Sequence, residues 1–382
     1  MAYQLQEINR RIQSDVKEFL AECDENYNQR VSLAADKILS NIERSPIVLL
    51  SGPSGSGKTT TAMKIAEELQ RRGVNTHAVA MDNYFTTINP RTAPRTPEGD
   101  IDYESPQCLD MELLSRHFTA LSNGEEILIP KYEFVRQMRN DSRGTPLKLG
   151  KNEIAIFEGI HALNDQIAGR HPQATKLYIS ARSNVNEGSV LRFKGTWMRL
   201  TRRAVRDYNF RGTDVEDTLD MWANVRRGEK LYISPFKNKA DIIFDSSLPY
   251  EVSVMKNYAL PLLRAVPEEN DRRSELLEFI DAFRYFQPID PELVAKDSLL
   301  REFIGGGSYS YSAFSLSQVC LEVQICQTVP YTIPEIPAAK PLTVPFHQAP
   351  RCSSPCAPCA RKGFHGRPCP PASSSGMTPP SP

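Results

Sequence analysis

The 382-residue chain is long enough to bury one large core or two smaller ones. Its 46 basic and 46 acidic residues cancel, which excludes a molecule built as a whole to bind polyanions, though not a local basic patch. No apolar run approaches the roughly 18 residues of a membrane span, and the opening MAYQLQEINRRIQSDVKEFL lacks the hydrophobic core of a secretion signal, so no membrane association and a cytoplasmic location are expected.

In residues 1–45, Leu5, Ile8, Ile12, Val16 and Phe19 recur at steps of three and four, a helical stripe, and Val31 to Ile42 suggests a second helix. This extension is expected to pack on a main domain. From Ile47 to about Tyr250 short β-rich runs (IVLLSG, THAVAMD, EILIP, EIAIFEG, TKLYIS, ADIIFD) alternate with helical patterns at 58–72, 109–122 and 187–208. Such alternation predicts an α/β domain over 46–250, a parallel sheet with helices on both faces. Residues 251–304 read as helical again, with Leu276, Ile280 and Phe283 on one face.

From Gly305 onward the composition changes. This stretch holds 14 of the 29 prolines and only seven charged residues, too little apolar periodicity to offset ordering entropy, and residues 305–382 read as a disordered Pro/Ser/Cys-rich tail. Only Cys23 and Cys108 precede it, so a disulfide framework in the main body is not expected. Competing readings of the tail are a metal site from Cys352, Cys356, Cys359 and Cys369 with His347 or His365, and a segment foreign to the fold through a shifted reading frame. The spacing C-x3-C-x2-C-x9-C lacks the paired knuckles of common zinc modules.

Gly52 to Thr59, GPSGSGKT, fits G-x-x-x-x-G-K-[ST] between a predicted strand and a predicted helix. Several backbone N–H groups must converge on a polyphosphate, and glycine turns that tightly without a Cβ in the way. The helix N-terminus adds partial positive charge. Gly52, Pro53, Ser54, Gly55, Ser56, Gly57, Lys58, Thr59 and Thr60 are the expected nucleotide-binding residues, with Lys58 on the β- and γ-phosphates and the Thr59 hydroxyl on Mg²⁺.

Open α/β sheets bind ligands at the carboxyl ends of their strands. THAVAMD brings Asp82 there, followed by Asn83, Tyr84 and Phe85, and an acid so placed can take the proton of an attacking hydroxyl. Its competing role is a turn or helix cap. EIAIFEG delivers Glu158 as a Mg²⁺ carboxylate, and Gly159 is expected to leave space beside the metal. In residues 192–212, Arg199, Arg202, Arg203 and Arg206 fall on adjoining helical faces. A solvated face, a nucleic-acid patch and a lid closing on phosphate are the three readings; sparse aromatics argue against nucleic acid.

The series GPSGSGKTT, MDNYF, YESPQCLD, IPKYEF, IFEGIHAL and RLTRRAVRD resembles, over about residues 47–246, the uridine kinase branch of the P-loop kinases, which has phosphoribulokinase as a relative. The N-terminal helices and DPELVAKDSLLREFIGG are similar to the kinase portion of longer bacterial uridine kinase-like proteins. The resemblance implies a P-loop NTPase-type fold and an ATP- or GTP-dependent kinase using Mg²⁺, with Asp82 as general base toward a ribose 5′-hydroxyl and Lys58, Thr59 and Glu158 managing phosphate and metal. It implies further that Arg203 and Glu104 bind ribose, that Tyr132 and Phe134 contact the base, and that Arg206 and Arg211 are phosphate-binding lid residues. Tyr84 and Phe85 are counted with the substrate contacts.

Three positions depart from the family pattern. Glu104 stands where Asp is usual, Gln137 where a pyrimidine-reading His is expected, and Thr213 in place of a lid arginine. A Gln137 amide can still hydrogen-bond a nucleobase edge, while Tyr132 and Phe134 would serve ordinary core packing equally well. The expectation is a nucleoside kinase with Asp82, Lys58 and Arg206 as catalytic residues. Its rivals are a kinase for another sugar or alcohol, as in the phosphoribulokinase and pantothenate kinase relatives, and a slowly hydrolysing nucleotide switch, in which Asp82, Tyr132 and the arginine helix have no evident duty. Homo-oligomerisation is left open.

Overall fold

The structure is a computed structural model and describes residues 2–133, 136, 138–269 and 273–311. The cysteine cluster and nearly all of the expected tail lie outside the described residues, as do Phe134 and Gln137. The strands are β1 (Ala2–Gln4), β2 (Ile47–Ser51), β3 (Asn75–Ala80), β4 (Ile127–Glu133), β5 (Met138–Leu147), β6 (Glu153–Glu158), β7 (Thr175–Ser180), β8 (Asn184–Glu187), β9 (Val190–Phe193) and β10 (Ile242–Asp245). The α-helices are α1 (Leu5–Leu39), α2 (Lys58–Arg71), α3 (Met111–Ser122), α4 (Asp165–Ala168), α5 (Gly195–Arg211), α6 (Val215–Gly228), α7 (Glu251–Arg264), α8 (Arg273–Ala282) and α9 (Arg301–Ile304).

Five of the six expected strands make one parallel sheet in the order β10-β7-β2-β6-β3. Alternate side chains leave β2 on opposite faces. Val48 and Leu50 join Ile156 and Ile179 in one buried cluster with residues of α1, α2, α5 and α7, while Ile47 and Leu49 join Phe157 and Tyr178 against α3 and α4. Both faces being covered, β2 is buried throughout, which is why it reads as an unbroken apolar run. The central β2 lies between β6 and β7, so its carboxyl end falls at the point where connections diverge to either side.

The sixth run, EILIP, does not enter this sheet. It begins β4, which pairs antiparallel with β5 as a two-stranded unit; Leu128 is half exposed, the mark of a strand covered on one face only. The expected helix over 187–208 is also corrected: β8 and β9 form a hairpin turning at Gly188 (φ +58°), and α5 starts at Gly195. Positive φ at Gly188 ends any helical reading there. The hairpin is joined by β1, parallel to β8. At the N-terminus the helix break falls at Asp15, with extended φ/ψ, rather than before Val31; its carboxylate accepts the Glu18 N–H at 3.0 Å and caps the second half. Residues 305–311, which composition assigns to the tail, pack on α2 through Tyr309 and Tyr311. Among the described residues no helix is long and apolar enough to cross a membrane.

Candidate active site

The loop between β2 and α2 is bent by Gly55 (φ +71°) and Gly57 (φ +77°), a backbone that other residues rarely adopt. Its polar groups are held from behind by α5. Arg199 donates to the Ser54 carbonyl at 3.1 Å, Arg202 to the Gly55 carbonyl at 3.3 Å and Arg203 to the Ser54 hydroxyl at 2.9 Å, while the Ser246 hydroxyl donates to the Ser56 carbonyl. Tying carbonyls to the outside leaves the concave side of the loop to N–H groups, as an anion cradle requires.

Two of the arginines are thereby fixed as structure. Arg202 is fully buried in an ion pair with Glu251, Nη2 to Oε2 2.7 Å, and Arg199 is buried against Glu229 at 2.6 Å. The other arginines of the helix, Arg203, Arg206 and Arg211, are gathered about the buried carboxylate of Asp207 at 3.3, 2.7 and 3.4 Å. Three guanidiniums on one carboxylate leave a positive surplus, suited to phosphate oxygens. Burial lowers the affinity of Arg203 and Arg211 for their protons.

Lys58 opens α2, its ammonium 3.8 Å from the Glu158 carboxylate at the end of β6 and 3.3 Å from the Pro53 carbonyl. Burial pushes Glu158 up to about 7, with Lys58 pulling it down and Asp82 pushing it up. Asp82, in the turn after β3, is likewise raised by burial, with Lys58 and Arg211 opposing. Glu104 is pushed up to about 7 by burial, eased by Arg203. Glu104 and Glu158 each feel both Lys58 and Asp82. Lys58, Asp82, Glu104 and Glu158, from four separate segments of sequence, therefore lie within one another's electrostatic reach.

Other expectations are corrected. Tyr84 does not face a substrate: it is fully buried, its hydroxyl 2.8 Å from His117 Nδ1. Thr60 is buried as well, and its hydroxyl is engaged by Glu302 and Tyr311. Gly159 gives its space to Met81, since a Cβ there would lie 2.7 Å from the Met81 Cβ. Phe85 and Tyr132 form a ring pair with centroids 5.5 Å apart beside Asp82 in sequence and at the exit of β4.

Sequence reasoning missed the supports. Asp102 is held by Arg227 at 2.7 Å and by the Tyr232 hydroxyl at 3.0 Å, which fixes the loop carrying Glu104. Glu104 itself lies on Gly228, at the end of α6, where a Cβ would stand 2.4 Å from the Glu104 Cβ. Nothing local in YESP announces a partner more than a hundred residues away. The donors expected for a metal, the Thr59 hydroxyl and the Glu158 carboxylate, are both oxygens. Among the described residues no three His, Cys, Asp or Glu side chains form a metal cage, and Mg²⁺ fits such a site because it takes one or two carboxylates and completes its shell from water and substrate phosphates.

A parallel sheet with a phosphate loop at its central strand, carboxylates at neighbouring strand ends and an arginine helix over the loop defines a P-loop kinase. The profile of the Phosphoribulokinase / Uridine kinase family matches residues 47–253, and the chain belongs to that family; it is an ATP-dependent kinase acting on a small molecule. Among curated relatives it is 28% identical to a uridine kinase of Halobacterium salinarum over 51% of this chain and 77% of that one. It is also 28% identical to uridine kinases of Mycoplasma genitalium (55% and 90%) and Macrococcus caseolyticus (53% and 88%).

Proposed function

We propose that the protein transfers the γ-phosphate of ATP, or of GTP, to the 5′-hydroxyl of uridine, cytidine or a nucleoside of similar shape. One observation carries the reading: Asp82, raised by burial and within the field of Lys58 and Arg211, sits at a strand end of the sheet that carries the phosphate loop. A carboxylate with heightened proton affinity suits the proton of an attacking hydroxyl. The uridine kinase relatives support the same acceptor class.

Phosphoryl transfer asks for in-line positioning and neutralised charge rather than covalent help. The loop amides and Lys58 hold the β- and γ-phosphates, and Arg206 and Arg211 close over them, excluding water. Glu104 and Arg203 hold the ribose hydroxyls, with Phe85 and Tyr132 flanking the base. Thr59 and Glu158 would hold Mg²⁺, which would supply further charge neutralisation on the phosphate oxygens.

Incubation with Mg-ATP and a mixture of nucleosides, sugar phosphates and pantothenate, read by mass spectrometry, is expected to yield a nucleoside 5′-monophosphate. A phosphorylated sugar or alcohol alone would move the acceptor to that class, and ADP without any phosphorylated product would point to a hydrolysing switch. Asp82→Asn is expected to lower kcat by about 10²–10⁴-fold with ATP affinity nearly unchanged; turnover at the original rate would remove Asp82 as the base.

A further inference from the structure

The family profile ends at residue 253, yet a later segment reaches the phosphate loop. Asp297 pairs with Lys64 of α2 at 2.6 Å, and Leu299 fills the space beside Gly57, where a Cβ would lie 2.5 Å from the Leu299 Cδ1. Glu302 accepts hydrogen bonds from both the Thr60 hydroxyl (2.5 Å) and the Thr60 N–H (3.3 Å). Farther on, the Tyr311 hydroxyl meets the same Thr60 hydroxyl at 3.1 Å.

An α-helix begins with backbone N–H groups that have no partner inside the helix, and a side chain at the N-cap usually takes one of them. In α2 the N-cap is Gly57, which has no side chain and makes no such bond. Thr60 is the third residue of the helix, the position an N-cap side chain would serve. Glycine is required at position 57 by its positive φ and by Leu299, so a cap can come only from elsewhere in the chain.

We propose that Glu302 is a positioning residue of the nucleotide site, capping α2 from the far end of the chain so that its first turn presents the Lys58 and Thr59 amides to a triphosphate. The carboxylate is not a bare anion aimed at the phosphates: Arg202, whose guanidinium lies 5.3 Å from the Phe303 ring centroid, is in electrostatic contact with it. The same Arg202 holds the Gly55 carbonyl, so cap and loop share one support. Residues 297–311 thus form part of the phosphate cradle although they lie beyond the catalytic domain. The inference rests on the proposed reading that this cradle binds the triphosphate donor.

The test is calorimetric binding of ATP in EDTA to the full-length protein and to Glu302→Ala and Glu302→Gln, with the acceptor KM measured beside it. Removing the cap is expected to weaken ATP binding about tenfold in Glu302→Ala, with the acceptor KM unmoved, while Glu302→Gln, whose amide oxygen still accepts, restores most of the affinity. Should Glu302→Ala fail to fold, Glu302→Asp, which keeps the charge but withdraws it from Thr60, is expected to show the same selective loss. Unchanged ATP affinity in the folded variants would overturn the proposal. So would tighter binding in both Glu302→Ala and Glu302→Gln, the outcome if the carboxylate competes with phosphate. Absence of ATP binding by the unaltered protein would sink the proposed function along with it, whereas unchanged variants sink the cap alone.

Discussion

The two halves of the site are built by different means. On the phosphate side the proposed ligand groups are the loop's backbone amides with Lys58, Arg206 and Arg211 added, and the loop is braced by Arg199, Arg202 and Arg203, two of which are buried and paired with carboxylates of their own. On the acceptor side the proposed ligand groups are side chains on loops and on a two-stranded hairpin, and the support is thin: Asp102 held by Arg227 and Tyr232, and Glu104 resting on Gly228. A polyphosphate presents the same shape whatever its base or acceptor, so its cradle can be rigid. Acceptors differ, and selectivity among them is set by the few side chains whose positions long-range packing decides.

The sharpest way to break this contrast is to attack the brace. Arg202→Ala would leave Glu251 buried without its counter-ion and the Gly55 carbonyl without its donor, a loss of about 3–5 kcal/mol that urea unfolding would register. An exchange of both partners, Arg202→Met with Glu251→Leu, removes the charges together and should recover much of the stability while still loosening the loop. If the single variant unfolds at the same urea concentration as the parent, the brace is not where the cradle's rigidity comes from.

A smaller and more selective effect is expected on the other side. Gly228→Ala pushes a methyl into Glu104, and an overpacked contact of this kind should raise the acceptor KM by about tenfold with the KM for ATP unaffected. A rise in both KM values would mean that Gly228 serves α6 as a whole rather than the acceptor.

The same division governs what could be read from the sequence. β2, β6 and β7 are buried on both faces and appear as apolar runs, and the phosphate loop is a contiguous string between a strand and a helix, so both the main sheet and the cradle were legible. Local pattern failed where tertiary packing decided. EILIP has the same composition as a central strand but pairs only with β5; Gly188 opens a hairpin inside what reads as a helical run; Tyr84 follows Asp82 yet turns inward to His117. The arginine helix reads as adjoining charged faces, but its five guanidiniums divide according to whether Glu229, Glu251 or Asp207 is opposite: Arg199 and Arg202 pair with buried glutamates, and Arg203, Arg206 and Arg211 gather about Asp207. Contacts such as Glu302 to Thr60 span more than 200 residues and leave no local trace.

The subtlest expected effect is in pH, and its sign distinguishes the two halves once more. Burial raises Glu104 from its ordinary 4.5 to about 7. Below that pH the protonated carboxyl loses its charge and turns one oxygen into a donor, so it would hold sugar hydroxyls more weakly, and kcat/KM for the acceptor should fall as the pH drops through about 7 and level off above it. Glu158 carries a similar shift, though a cation held by it at saturating Mg-ATP would keep it ionised, and burial raises Asp82 as well, so Glu104's share of the limb is the part that Glu104→Gln removes. Stability follows the same proton. The fold binds it more tightly than the unfolded chain does, so the carboxyl's contribution is fully present below about 4.5 and is lost as the pH rises through about 7. Glu104→Gln should therefore lessen, without abolishing, the pH dependence of the melting temperature of the ligand-free protein across that window, because Glu158 titrates there too, and a limb that survives the substitution unchanged would transfer the titration to Asp82 or Glu158 and return Glu104 to a role in packing alone.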